Sequence, residues 1–78
     1  MENLGAMKEK MDKLDELLRQ LITHTVVKCN LEENFAWEQE EEVQEEISKC
    51  ISMVKAEQEQ TIQEIKSLFE SMQSLFGN

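Results

Sequence analysis

Proline is absent, and the only two glycines, Gly5 and Gly77, stand near the ends of the 78-residue chain. Nothing between residues 6 and 76 therefore breaks a helical backbone locally. Tyrosine is missing too, while Glu, Gln, Lys, Leu and Met are plentiful, a composition that suits long helices better than a sheet. No apolar run approaches the roughly 18 residues needed to cross a bilayer, and no charged-then-apolar leader opens the chain. The expectation is an intracellular, cytoplasmic protein with no membrane contact. Cysteine is scarce: Cys29 and Cys50 form no CxxC pair and no dense framework, which fits reduced thiols in a cytosol-like compartment.

Positive charge is also in short supply. Eight Lys and Arg face seventeen Asp and Glu, for a net charge of −9. Residues 1 to 28 are balanced, five cations against five anions, so the whole excess falls on residues 29 to 78, with three lysines against twelve glutamates. Phosphate binding needs clustered Lys and Arg, so direct nucleic-acid contact is not expected. An anionic membrane surface is disfavoured for the same reason.

What is present is an apolar period. Leu4, Met7, Met11, Leu14, Leu18, Leu21 and Thr25 alternate by three and four, the a and d positions of a heptad pattern, and Leu17 and Ile22 widen the stripe. Ile47, Ile51, Val54, Gln58, Thr61, Ile65, Leu68, Met72 and Leu75 repeat that spacing, flanked by Ile62, Phe69 and Phe76. Stripes this wide are what a helical bundle buries. A polar Gln58 at an a position is a device for fixing register or oligomer number.

The two stripes are out of step. From Thr25 to Ile51 is 26 residues, which is not a multiple of seven. A turn between them is the economical explanation, and Asn30 followed by Glu33 reads as an N-cap with its capping box. The rival is one continuous helix with a stutter. The predicted architecture is all-α: an antiparallel helical hairpin with a short helix over about 4–28, a turn near 28–31 and a long helix over about 31–76. The whole of residues 1–78 then forms one domain, assembling into a coiled-coil or four-helix-type bundle.

That hairpin leaves residues 55 to 76 overhanging the first helix, so Ile62, Ile65, Leu68, Phe69, Met72, Leu75 and Phe76 are the expected oligomer interface. It also lays Arg19 and Lys13 beside the acidic stretch of residues 32–46, which holds eight glutamates. Glutamates left without cations, Glu38, Glu41, Glu42, Glu45 and Glu46, form either a solvated face or a docking face for a basic protein partner. His24, Cys29 and Cys50 lie too far apart in this register to share a metal or form a thiol–imidazole pair. No catalytic residue, metal or cofactor is expected. The function expected is self-association as an oligomerisation or scaffold module; the alternative is a small acidic inhibitor that covers a basic surface, possibly by mimicking nucleic acid.

Overall fold

The computed structural model describes residues 2 to 75. It is an antiparallel hairpin of two helices, α1 (Glu2–Trp37) and α2 (Glu41–Leu75), of 36 and 35 residues. Its longest dimension is 59 Å, close to the roughly 54 Å of a straight 36-residue helix at 1.5 Å per residue. The arms are thus nearly equal and lie alongside each other over their full length.

The turn falls at residues 38–40, not at 28–31. Asn30 and Glu33, the expected cap, are exposed residues inside α1. A cap signature alone does not end a helix, and running α1 on to Trp37 lets α2 pack against it along its whole length instead of leaving its second half in water. The chain reverses instead through side-chain hydrogen bonds. A Glu38 carboxylate oxygen accepts from the backbone N–H groups of Gln39 and Glu40, both at 3.1 Å. The Glu40 carbonyl accepts the first helical bond of α2, from Gln44 N–H at 3.0 Å. The Gln44 side-chain amide then reaches back to the Phe35 and Glu38 carbonyls at 3.3 and 2.8 Å, covering acceptors that the end of α1 leaves without helical partners.

On α2 the half-buried and buried positions follow the expected seam: Ile47, Ile51, Val54, Gln58, Thr61, Ile65, Leu68, Met72 and Leu75. On α1 the seam is Met7, Lys10, Leu14, Leu17, Leu21, His24, Lys28 and Leu31, still spaced three and four. Met7, Leu14 and Leu21 were anticipated, but Leu4, Met11, Leu18 and Thr25 are exposed, and the residues before the last three, Lys10, Leu17 and His24, take their places. The reason is the length of α1. A helix that runs to Trp37 must also seat Leu31, and Leu31 is in phase with Leu17, fourteen residues earlier, not with Leu18.

Polar bonds fix how the arms align. Lys10 Nζ donates to Ser71 Oγ at 2.6 Å, and Gln58 Nε2 donates to Thr25 Oγ1 at 2.9 Å. His24 Nε2 lies 3.5 Å from a Glu57 carboxylate oxygen. These pairs have residue numbers summing to 81, 83 and 81, so Leu14 comes level with Leu68, Leu17 with Ile65 and Leu31 with Ile51. Among the described residues Leu17 is the single fully buried apolar side chain, at 1% exposure, and Thr61 is the buried polar one. The Thr61 hydroxyl is satisfied within its own helix, donating to the Glu57 carbonyl at 3.0 Å.

Two further expectations fall with the turn. The overhang does not exist, because residues 55 to 75 pack along the first half of α1. Arg19 and Lys13 do not face the acidic stretch: Arg19 pairs with Asp15 at 2.9 Å and Lys13 with Glu16 at 3.7 Å, both within α1. Among the described residues only Lys49 approaches that stretch, 3.0 Å from Glu46.

Candidate functional site

Outside its seam the hairpin has three surfaces. In an antiparallel pair the e positions of both helices line one side and the g positions line the other. With Met7 and Ile51 as a positions, the g side carries Lys13, Gln20, Glu57, Glu64 and Ser71. It holds two shallow grooves, of about 470 and 250 Å³. The second is lined by Gln20, His24, Glu57, Gln60, Thr61 and Glu64 and is polar, whereas the first also reaches Leu17 and Leu68 of the seam. His24 presents Nε2 toward Glu57, and its Nδ1 is buried without a protein partner.

The opposite flank is apolar. Leu4, Met11 and Leu18 occupy e positions of α1, and Ile62 and Phe69 occupy e positions of α2. The register sets Met11 level with Phe69 and Leu18 with Ile62, and Ile22 extends the patch on α1. Met11 and Ile22 are 56% and 64% exposed. Between Met11 and Leu18 lies a hollow of about 370 Å³, lined also by Asp12, Leu14 and Asp15.

The third surface is the turn end, where the acidic stretch lies. Its eight glutamates lie on the last turns of α1, in the turn and on the first turns of α2, away from Arg19 and Lys13, and so surround the reversal of the chain. Glu41 and Glu42 fall in the first turn of α2, where the helix dipole favours negative charge. Glu38 is half-buried and engaged in the turn, while Glu41, Glu42, Glu45 and Glu46 are exposed. Trp37 stands among them 79% exposed. Residues 32–46 hold eight anions and no cation, which leaves only −1 of the net −9 for the rest of the chain.

The residues expected to form an oligomer interface are therefore split. Ile65, Leu68, Met72 and Leu75 face α1 in the intramolecular seam, and Ile62 and Phe69 lie on the apolar flank. Phe76 lies outside the described residues. Sequence reasoning missed Leu4, Met11, Leu18 and Ile22 as surface residues by assigning them to the seam or its margin. Their signal was the excess of apolar positions on α1 over what a single seam can bury. Cys29 and Cys50 are free and exposed, at similar heights on opposite flanks. Among the described residues no three His, Cys, Asp or Glu side chains gather as a metal site would require.

Comparison with protein-family models, with curated proteins and with solved structures finds no match to this chain. No helix of the described residues is long and apolar enough to cross a membrane.

Proposed function

We propose that the chain is a non-enzymatic self-association module that works by helix packing, joining copies of itself and so making multivalent whatever is attached to it. The observation that carries this reading is the imbalance between core and surface. One apolar side chain is fully buried among the described residues, whereas eleven large apolar side chains are exposed. A two-helix unit with so many large apolar side chains in water has little to set against chain entropy. Association with further helices supplies the missing burial.

Sedimentation equilibrium over a range of concentrations tests this. The expected result is a mass above that of one chain at micromolar concentration, maintained from about 0.1 to 1 M salt, because apolar contacts outlast screening. A fully helical monomer throughout would overturn it.

A second reading rests on the turn end, where a fully negative segment surrounds an exposed Trp37. A basic protein surface with an apolar slot would suit it, and such a complex would dissociate as salt rises. Binding that persists unchanged at high salt would exclude that reading.

A further inference from the structure

We infer that the apolar flank formed by Leu4, Met11, Leu18, Ile22, Ile62 and Phe69 is the contact with a second copy of this chain, and that the two hairpins meet antiparallel, with their acidic turns at opposite ends. This rests on the self-association reading and specifies its surface and geometry.

Size is the first argument. The exposed parts of these side chains come to on the order of 500 Å² of apolar surface, as large as the biggest patch an ordinary monomer shows. Buried on two copies, with the polar rim around it, that area reaches the roughly 1,000 Å² at which specific interfaces begin. Shape is the second. The hollow on this flank is framed by Met11, Leu14, Asp15 and Leu18, residues spaced i, i+3, i+4 and i+7. Four residues at those spacings form the hole that receives one side-chain knob from a facing helix. The hollow can take a knob of this kind, and a second copy brings Leu, Met, Ile and Phe knobs of its own.

Charge sets the direction. The exposed rim carries Lys8, Asp12 and Asp15 along α1 and Glu59 and Lys66 along α2, two cations against three anions, so the flank attracts neither a strongly basic nor a strongly acidic partner. Parallel docking would set two turn segments, each with eight glutamates and no cation, side by side. Antiparallel docking overlaps only the nearly neutral terminal halves. The turns then lie about 80 Å apart, counting roughly 26 residues from each turn to the centre of overlap at 1.5 Å per residue, far beyond the ~8 Å screening length at physiological salt.

The test uses the full chain with two readouts. In Met11→Lys/Ile22→Lys, both changes fall on side chains the hairpin itself leaves mostly exposed, and lysine keeps helix propensity. Self-association should weaken at least about 100-fold, roughly tenfold for each anchor lost. Met53→Lys, at an equally exposed apolar residue on the outer side of α2, should leave the mass unchanged. Wild-type protein diluted until it dissociates gives the helicity a separated chain retains. If the double variant is less helical than that, Phe69→Gln replaces it in the same assay.

In a Cys29→Ser/Cys50→Ser background, spin labels on Gln39→Cys chains should lie more than about 60 Å apart between copies, and labels on Asp12→Cys chains within about 40 Å. An oligomer that survives the flank variants shows that copies meet elsewhere, while the self-association reading stands. Gln39 labels within about 30 Å would overturn the antiparallel arrangement. A wild-type chain that is monomeric throughout removes the self-association reading and this contact with it.

Discussion

Leu17 and Leu18 are neighbours of identical chemistry, yet the first is 1% exposed and the second 43%. Leu17 projects into the seam, level with Ile65, and Leu18 lies on the flank. Leu17→Ala removes a fully buried isobutyl group from a two-helix rod whose neighbouring side chains can close in only partly. The cost expected is about 2.5 to 4 kcal/mol, the transfer loss plus part of a cavity term. Leu18→Ala removes a group that is only about half covered within one chain, so its cost to the hairpin alone is about 1 kcal/mol. Urea unfolding followed by far-ultraviolet circular dichroism measures both, at a concentration where sedimentation shows a single chain. At higher concentration the order of effects changes: Leu18→Ala should weaken association, because the flank loses an anchor, whereas Leu17→Ala should act mainly through the fold. Equal losses from the two variants in demonstrably monomeric protein would mean that the seam passes between the two leucines, and the assigned register would be wrong.

Other consequences follow from the turn and the seam. Labels on Glu9 and Gln73 within one chain should lie about 20 Å apart, against about 96 Å for a continuous helix at 1.5 Å per residue, which double electron–electron resonance separates. Gln44→Ala deletes the two hydrogen bonds that hold the end of α1, at 3.3 and 2.8 Å. It should cost about 1 to 2 kcal/mol in denaturant unfolding and speed hydrogen exchange mainly around residues 36–42. Thr61→Val replaces a buried hydroxyl that bonds only to its own helix. It should leave stability unchanged or raise it by up to about 1 kcal/mol, read as a shift in the urea midpoint; a loss above that size would show that the hydroxyl has a partner across the seam.

The helical class was legible because the signal for it is spread along the chain, with no internal breaker and a sustained three–four period, and the hairpin was legible from the break in phase between the two stripes. The seam of α2 could be read residue by residue, since apolar side chains fill most of its positions. The seam of α1 could not, because Lys10, His24 and Lys28 occupy half-buried positions within it. A lysine there buries its methylene stem and carries its charge outward, so the position reads as polar in sequence although it packs. The turn was misplaced on a local signature, Asn30 with Glu33, against a global constraint. A turn near 29 strands some 20 residues of apolar α2, at a cost on the order of 10 kcal/mol. That cost argues against the turn more strongly than it argues for an interface. Moving the reversal to the middle of the chain removes it, and residues 38–40 are that middle.

The polar residues within the seam explain how so thin a contact holds one alignment. Apolar side chains alone tolerate a slip of one heptad, since Leu, Ile and Met meet equivalent partners seven residues away. A slip of α2 by seven residues would take Gln58 away from Thr25, Ser71 away from Lys10 and Gln44 away from the carbonyls that close α1. Each separation costs about 1 kcal/mol, more where the group stays out of water. Such residues lower the stability available from burial and in return select the register. The flank depends on that selection. Met11 stands beside Phe69 and Leu18 beside Ile62 only in the observed alignment; one heptad away, the e positions of α1 would be paired with different residues and the patch would lose part of its length. The mixed seam and the apolar flank are thus parts of one arrangement, in which polar bonds inside the hairpin position the apolar surface outside it.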